Sequence, residues 1–354
     1  MFFFQYLPDD ILNIYKFLHM GFSIKLVQPI IHIGGIMRKI IIDCDPGHDD
    51  AIAILLASRA ENLQLLGVTT VAGNSELRYT TRNARRVLDY AGVFDIPVYA
   101  GCGKPMMRDL YRLTGAIIHG EDGLGGPFIP EATTPVEKDH AVDYIIRTLR
   151  ESDEKITLIP VGPMTNIAAA FIKAPDIKEK IDRLVIMGGA IFGPGNITSA
   201  AEFNIYVDPE AAKIVFQSGC DIYLNTLDIS MKAVFTEKDI EDLRAQGDSL
   251  SDIVAQLLDF FASTHIKHFG FKQCPIHDAL CVGVLIDETL IEYQDAFVDI
   301  SLHDPLTLGE TVADLWGITG NAPNCHISVK VDREKFVRMI KEHMRKPYTA
   351  KNLV

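Results

Sequence analysis

The chain has 354 residues, of which 48% are hydrophobic, and it carries a formal net charge of −13 at pH 7. The length and apolar content suffice for a large core, and no linker-like stretch or repeat divides the chain. The acidic balance, without a Lys/Arg run, disfavours nucleic acid and anionic membranes as partners. Six cysteines without a Cys-x-x-Cys pair, and no evident export signal, predict reduced thiols and a cytoplasmic protein.

The first 36 residues differ from the rest of the chain. Residues 1–20 are rich in aromatics but are interrupted by Asp9 and Asp10, and they lack the basic start of a signal peptide. The apolar stretch at residues 30–36 is too short to span a membrane. We therefore expect residues 1–36 to be a leader that arises from a start codon assigned too early, with translation beginning at Met37 and one domain over residues 37–354.

Four carboxylates fall within residues 43–50, directly after the apolar run 40–42. The run predicts a buried parallel strand, and residues 49–59 predict the helix that follows it. The acids therefore lie at the carboxyl end of a first strand, where open α/β sheets bind ligands. Crowded acids repel one another unless a cation neutralises them, and oxygen ligands favour calcium or magnesium over zinc. These acids are Asp43, Asp45, Asp49 and Asp50.

Two other interpretations of this acidic stretch are open. Acids at a helix start can be caps, which would explain Asp49 or Asp50 but not the pair on the strand end. A phosphohydrolase of the haloacid dehalogenase type also places Asp-x-Asp after its first strand. That chemistry usually has Thr or Val two places after the second Asp, where this chain has Gly47.

Strand-like and helix-like segments alternate along the chain. This order predicts an α/β fold, a single domain with a mainly parallel open sheet, a Rossmann-like core and helices on both faces. The Gly- and Pro-rich residues 101–135 predict a long irregular excursion, and such excursions are commonly functional. The predicted strands are residues 40–44, 65–71, 97–100, 156–161, 184–187, 222–227, 297–302 and 326–331. The predicted helices include residues 75–91, 139–150, 209–218 and 333–344, with a helix-rich stretch over 236–286.

Six short motifs in one order carry a resemblance to a known family. The segment Asp-Cys-Asp-Pro-Gly-His-Asp-Asp-Ala at residues 43–51 resembles the amino-terminal motif of the inosine-uridine nucleoside hydrolases. The later motifs, including His-Gly-Glu-Asp-Gly at 119–123, Val-Gly-Pro-Met-Thr-Asn at 161–166 and His-Asp at 277–278, match in the family's order. The similarity extends from about residue 37 to the end, and it implies the family's fold and the hydrolysis of N-ribosidic bonds.

The resemblance implies a metal site built from oxygen ligands. It assigns the metal carboxylates to Asp45, Asp50 and Asp278, and it adds the backbone carbonyl of Val161. It also makes Asp45 the general base, beside the attacking water. We expect one calcium ion per subunit, with magnesium less favoured, because hard oxygen ligands suit these ions.

The resemblance further implies a set of polar side chains around the ribose. Asp49 would contact a ribose hydroxyl, and Met187 would touch the nucleoside, although a core methionine is equally compatible with the sequence. Asn74 and Asn196 could instead be simple turn residues. Period-two spacing would place Glu202 and Asn204 on one face of a strand. The implied ribose-binding set is Asn74, Asn196, Glu202 and Asn204.

Three histidines bear on the departing base. His277 precedes a predicted metal ligand and is the family's candidate for protonating or contacting the base, a role that an unperturbed imidazole pKa would suit. His119 resembles a pocket histidine on a lid, and His265 is a secondary pocket contact. The sequence leaves open which of the three protonates the base.

The expected activity is hydrolysis of uridine, inosine and related ribonucleosides to ribose and free base. A pyrimidine-specific hydrolase of the same family is the nearest alternative, and Phe261 and His265 are the positions that bear on it. A phosphohydrolase and a non-catalytic nucleoside-binding protein are more distant alternatives. The expected partner is a small-molecule ribonucleoside, with no nucleic acid and no membrane, and the resemblance suggests a homodimer or homotetramer.

Overall fold

The protein is described by a computed structural model that covers residues 37–111, 117–270 and 274–351. Eleven strands are formed in these ranges. They are β1 (Arg38–Cys44), β2 (Leu63–Thr70), β3 (Val98–Ala100), β4 (Ile156–Pro160), β5 (Ile181–Met187), β6 (Ile222–Asn225), β7 (Val234–Phe235), β8 (Cys274–Pro275), β9 (Ile291–Ile300), β10 (Thr311–Asp314) and β11 (Cys325–Val331). The predicted leader lies outside the described residues.

The helices lie mostly between the strands, as the alternating pattern predicts. They are α1 (His48–Arg59), α2 (Leu77–Tyr90), α3 (Ala141–Glu151), α4 (Thr165–Lys173), α5 (Phe203–Val207), α6 (Pro209–Phe216), α7 (Leu227–Ser230), α8 (Glu237–Arg244), α9 (Ser249–Phe269), α10 (Ala279–Ile286) and α11 (Arg333–Arg345). Two 3₁₀ turns add Pro175–Lys180 and Glu288–Leu290.

The main sheet places a topological switch point beside the acidic motif. Its nine strands run in the order β10-β9-β11-β6-β5-β4-β1-β2-β3. The chain moves outward from β1 to β3 on one side, then starts again at β4, parallel to β1, and moves outward on the other side. Such a reversal opens a crevice at the carboxyl ends of the two central strands. The segments that follow β1 and β4 therefore meet at one place.

Helices cover both faces of this sheet and form two apolar cores. One core includes α1, α10 and α11, and the other includes α3, α4 and α6. All twelve residues of α1 are buried, because the helix lies beneath other helices as well as against the sheet. A helix that is apolar all round is typical of such a position. The α/β fold with a mainly parallel sheet is therefore confirmed.

Some predicted elements differ from the observed ones. The prediction of a strand at Glu202 and Asn204 is wrong, because Glu202 is the N-cap of α5 and its carboxylate accepts bonds from backbone N–H groups of the first turn. The spacing of two has no structural meaning there. β6 also ends two residues earlier than predicted, since Leu227 begins the short helix α7. The antiparallel strands β9 and β10 extend the sheet beyond its parallel part.

In the described ranges, no helix is long and apolar enough to cross a membrane. The six cysteines all lie within those ranges and all are free thiols. Cys44, Cys274, Cys281 and Cys325 are buried, as small apolar residues would be.

His326 makes a contact near the amino ends of β6 and β11 whose charge depends on pH. His326 on β11 bonds through Nε2 to Asp221 at 2.9 Å and through Nδ1 to Asp295 on β9. Its ring also packs against Tyr223 on β6. Hydrogen bonding to the two carboxylates raises the pKa of His326, with Asp221 as the largest cause. When it is protonated, His326 donates hydrogen bonds to both carboxylates and so links β11 to β9 and to the residue before β6.

We expect His326→Gln to destabilise the protein more in acid than in alkaline solution. Because the folded-state pKa is raised, the stabilisation is fully present below the unfolded value of about 6.5 and is lost as pH rises through the folded value. The measurement is the urea midpoint of wild type and variant from pH 5.5 to pH 9, compared as a difference so that other titrating groups cancel. A difference that does not change with pH would contradict this prediction.

Candidate active site

The structure brings the acidic motif and a distant aspartate together in the crevice. Asp45 follows β1, Asp50 lies in the first turn of α1, and Asp278 immediately precedes α10. Carboxylate oxygens of Asp49, Asp50 and Asp278 lie within 4.8 Å of one another. This group of three can hold a metal ion. The sequence expectation had Asp45 in place of Asp49, and Asp45 lies beside the group rather than in it.

Asp45 is held in one position from several sides. Its Oδ2 accepts a bond of 2.6 Å from the backbone N–H of Asn74, whose side chain donates to the Asp45 carbonyl. A Cβ on Gly73 would lie 2.1 Å from Oδ2, and a Cβ on Gly162 would lie 2.4 Å from Oδ1. Only glycine therefore fits at either position. Asp45 Oδ1 is buried and has no hydrogen-bond partner among the described residues.

Burial and mutual repulsion disfavour the charged forms of these acids. The pKa of Asp45 is raised well above its usual value, first by burial and then by Asp50. Burial followed by the charge of Asp49 raises the pKa of Asp50 to about 7. Burial, then Asp49 and Asp50, raises the pKa of Asp278 well above its usual value. A divalent cation would reverse this preference, since it neutralises the cluster.

The donor set fits a hard cation. The acids offer only oxygen as a donor atom, and the Oδ1 of Asp45 is a buried acceptor without a partner among the described residues. Val161, whose carbonyl was expected as a ligand, lines a cavity together with Asp49 and Asp278. Buried acceptors without partners are rare in proteins and call for a specific explanation. A bound ion explains the position of Asp45 and the crowding of the other three acids together.

Asp43 makes hydrogen bonds to neighbouring segments and does not line the cavity. Its Oδ1 accepts bonds from Thr69 at 2.6 Å and from the Asn166 side chain at 2.7 Å, and burial raises its pKa to about 7. Asn166 also accepts a bond from the backbone of Cys102, so it links β1, the start of α4 and the segment after β3. The role of Asn166 was missed from the sequence, although it lies in the motif at 161–166.

The side of the cavity that was expected to bind ribose is formed by the loop before α5. The Glu202 carboxylate accepts from the backbone N–H groups of Asn204 and Gly189, both at 3.0 Å, and burial raises its pKa to about 7. Asn204 Nδ2 donates to the carbonyls of Val161 and Met187. Both of its amide hydrogens are thereby used, so its Oδ1 remains available to accept from a hydroxyl.

Asn196 also stabilises this loop. Its Oδ1 accepts from the backbone N–H of Phe203, which leaves its amide hydrogens available to a ligand. The neighbouring Gly195 lies so close to Ala201 that a Cβ would come within 2.1 Å of the Ala201 carbonyl oxygen. Asn196 therefore lies in a tight turn, as the simpler interpretation expected, and it also lines the cavity.

Aromatic rings and histidines form the opposite wall. Phe261 stacks with His119 at 5.2 Å between ring centres and meets the ring of His265 edge-on at 4.3 Å. His265 Nδ1 bonds to the carbonyl of Phe261, one turn earlier on α9. His277 completes this wall beside Asp278. Flat apolar faces with a few polar atoms are suited to a nucleobase.

His277 differs electrostatically from the expectation. Burial, then the neighbouring His265, lowers its pKa to about 3, so the ring is neutral at pH 7 and does not have the unperturbed pKa assumed from the sequence. Its Nδ1 lies 2.7 Å from the Ser230 hydroxyl on α7. Nε2 is therefore the nitrogen left for a ligand. Ser230 was not found by sequence reasoning, since no local pattern marks a serine 47 positions away.

His48 is a further residue that the sequence analysis passed over. It is fully buried, stacks with Phe260 and Phe261, and contacts His119. Burial lowers its pKa to about 4, so it is neutral. It lies within the acidic motif at residues 43–51, so its place beside the acids was visible in the sequence.

One cavity of about 780 Å³ joins the two walls. This volume is in the range of small-molecule sites, about 300–1,000 Å³. Asp45 and Asp50 lie beneath its floor and are 0% exposed. Eleven of the expected site residues line it: Asp49, Asn74, His119, Val161, Met187, Asn196, Glu202, Asn204, His265, His277 and Asp278.

Residues 40–338 match the profile of a family described as inosine-uridine preferring nucleoside hydrolase. The chain belongs to this family. The nucleoside hydrolase is thus an enzyme that hydrolyses N-glycosyl bonds, and its substrate is a small-molecule nucleoside. Members of the family depend on a metal ion, and the acidic cluster provides a possible site for one.

Similar proteins include relatives that match almost over their full length. The nucleoside hydrolase is 44% identical to the pyrimidine-specific ribonucleoside hydrolase RihA of Enterobacter sp. (strain 638), over 86% of this chain and 97% of the relative. It is 45% identical to RihA of Escherichia coli O7:K1 (strain IAI39 / ExPEC), over 86% and 98%. The solved purine-preferring ribonucleoside hydrolase from Gardnerella vaginalis has a TM-score of 0.82 and 32% identity, over 87% of this chain and 98% of that one.

We expect Gly162→Ala to lower kcat/KM by about a hundredfold, because a methyl group there displaces the Asp45 carboxylate and small misplacements of a reacting group are costly. The matched control is Gly103→Ala, where the nearest atom to the new methyl is Leu77 Cδ2 at 3.9 Å. Both variants are compared with wild type in nucleoside hydrolysis and by circular dichroism. Equal activity in the two folded variants would contradict the packing assigned to Asp45.

Proposed function

We propose that this nucleoside hydrolase prefers pyrimidine ribonucleosides, uridine and cytidine. The observation that carries the proposal is 44–45% identity to enzymes named as pyrimidine-specific, over nearly their whole length. The identity to the solved purine-preferring enzyme is lower, at 32%. The narrower of the two substrate ranges is therefore favoured over a broad range that includes inosine.

The proposed cofactor is one calcium ion per subunit, held by Asp50, Asp278, the Val161 carbonyl and Asp45 or Asp49. The all-oxygen donor set and the unpartnered Asp45 Oδ1 support this choice. When bound, the ion would supply Lewis acidity, which favours deprotonation of a water molecule and orders ribose hydroxyls. Side chains of the protein accept the proton, bind the ribose and contact the departing base.

Asp45 is proposed as the general base. Its carboxylate is rigidly held by Asn74 and the two glycines, so it can accept a proton from water without reorganising. The water oxygen then bonds to the anomeric carbon, the bond from that carbon to the base nitrogen breaks, and its electron pair leaves with the base. Nearby carboxylates favour the positive charge that develops on the ribose.

The other site residues bind and orient the substrate in this proposal. Asp49, the Oδ1 of Asn204 and the amide of Asn196 address ribose hydroxyls, while Asn74 and Glu202 hold Asp45 and the loop in place. Met187 packs against the nucleoside. His277 donates a hydrogen bond from Nε2 to the departing base, with His119 and His265 beside it on the same wall.

Compartment and assembly are also part of the proposal. Six free cysteines, four of them buried, are compatible with the reducing cytoplasm. A homodimer or homotetramer is proposed from the resemblance alone, and sedimentation at micromolar concentration measures it.

We expect kcat/KM for uridine and cytidine to exceed that for inosine by at least about tenfold, because pocket shape discriminates between bases. Removing the 2′-hydroxyl should cost at least about a hundredfold, since buried partners are left unpaired. A reducing-sugar assay with uridine, cytidine, inosine and 2′-deoxyuridine measures both. Inosine as the best substrate would overturn the pyrimidine preference, and equal rates with 2′-deoxyuridine would overturn the ribose contacts.

We expect prolonged dialysis against a chelator to inactivate the enzyme, with calcium restoring activity better than zinc, because oxygen donors select hard cations. Elemental analysis should find one calcium per chain in wild type. Asp278→Asn should lose it, whereas the control Asp304→Asn, at an exposed loop position, should retain it. Stoichiometric zinc, or full activity without metal, would count against calcium.

A further inference from the structure

His48 and His119 form a hydrogen-bonded pair behind the wall of the cavity. The Nδ1 atoms of the two rings lie 3.0 Å apart, and His48 Nε2 lies 2.9 Å from the carbonyl oxygen of Gly125. His119 lines the cavity and His48 does not. His48 therefore contacts no substrate, but it contacts a residue that does.

These contacts determine where the protons lie. The His48 ring is 0% exposed and lies against Phe260 and Phe261, where an imidazolium would be a buried charge, so the ring carries one proton. A carbonyl oxygen only accepts, so that proton lies on Nε2, facing Gly125. His48 Nδ1 is then a bare acceptor, and the Nδ1 of His119 must carry a proton to bond to it. The remaining nitrogen of His119, Nε2, is consequently unprotonated.

A competing arrangement is less favourable. The backbone N–H of His48 also points at His119 Nδ1, at 3.3 Å, and would bond to it if that nitrogen were bare. His48 Nε2 would then have to be bare as well, with its lone pair only 2.9 Å from the oxygen of Gly125. That arrangement exchanges a bond of 2.9 Å for one of 3.3 Å and places two acceptors together.

The surroundings hold both rings in this geometry. His48 stacks with Phe260 and Phe261, at 5.1 Å and 5.5 Å between ring centres. His119 stacks on His48 at 5.3 Å. A Cβ on Gly47 would come within 2.5 Å of His119 Nδ1, so the glycine of the acidic motif is what lets the ring approach.

We infer that His48 is a positioning residue, which fixes the tautomer of His119 so that Nε2 faces the cavity as a hydrogen-bond acceptor. His119 then accepts from a donor on the substrate and does not serve as the resting acid for the base. This inference rests on the proposed function for the identity of the substrate. On uridine, the donors outside the 2′- and 3′-hydroxyls are the base N3–H and the 5′-hydroxyl.

The proton positions can be measured without any substrate. Nitrogen chemical shifts of isotope-labelled histidine distinguish a protonated from a bare ring nitrogen, and His119→Gln assigns the signals of His119 by their loss. Wild type should show His119 protonated on Nδ1 and bare on Nε2. His119 protonated on Nε2 in wild type would overturn the inference, whether or not nucleosides are hydrolysed.

Two variants of His48 separate positioning from structural support. In His48→Asn, the Oδ1 atom takes the place of Nδ1 as acceptor, whereas His48→Leu offers none. The leucine variant should move the proton of His119 toward Nε2 and raise KM for uridine by about tenfold, with kcat nearly unchanged, because one bond to the substrate is lost. The asparagine variant should keep the wild-type tautomer and KM. Identical behaviour of the two variants, at full metal content, would contradict a positioning role.

Analogues identify the donor that His119 accepts from. 3-Methyluridine lacks the N3–H, and 5′-deoxyuridine lacks the 5′-hydroxyl. One of them should have a raised KM with wild type, with no further increase in His48→Leu, since the bond is already lost there. If both analogues lose affinity equally in wild type and in His48→Leu, His119 accepts from neither donor and the inference fails. If no ribonucleoside is hydrolysed while the tautomer is as stated, the proposed function fails and the positioning role of His48 stands.

Discussion

The burial of four repelling carboxylates at the switch point is the constraint on which the rest of the site depends. Asp45, Asp49, Asp50 and Asp278 are removed from water, and burial raises the pKa of each of them. The charges of neighbouring acids raise the pKa values of Asp45, Asp50 and Asp278 further. Buried charge is costly unless it is compensated, so the surrounding chain supplies backbone N–H donors and the cluster favours a cation. Two glycines and an asparagine hold the Asp45 carboxylate in place, and its Oδ1 has no hydrogen-bond partner among the described residues.

The same constraint links the two walls of the cavity. The Asn204 side chain donates to the carbonyl of Val161 and thereby connects the start of α5 to the segment after β4. On the other side, His119 packs on Gly47 within the acidic motif and stacks with Phe261 of α9. A shift of the motif would therefore displace both the loop before α5 and the aromatic wall, so the two sides of the cavity are mechanically coupled.

Sequence reasoning predicted the sheet, and most of the residues that it expected at the site line one cavity, because the evidence was local. The run at β1, the acids after it and the motif order each lie in short segments. It failed where side chains reach across the fold. The spacing of Glu202 and Asn204 also fits one face of a strand, but the Glu202 carboxylate caps the helix α5. Ser230 and His48 have partners 47 and 71 positions away in the sequence.

The strand order has a consequence for synthesis of the chain on the ribosome. β11 is inserted between β6 and β9, although it is made after both of them. Until it emerges, β6 presents an unpaired backbone edge and β9 has no place in the sheet, which exposes the nascent chain to edge-to-edge association. The last parallel strand therefore closes the sheet, and the sheet is complete only after Cys325–Val331 has been translated.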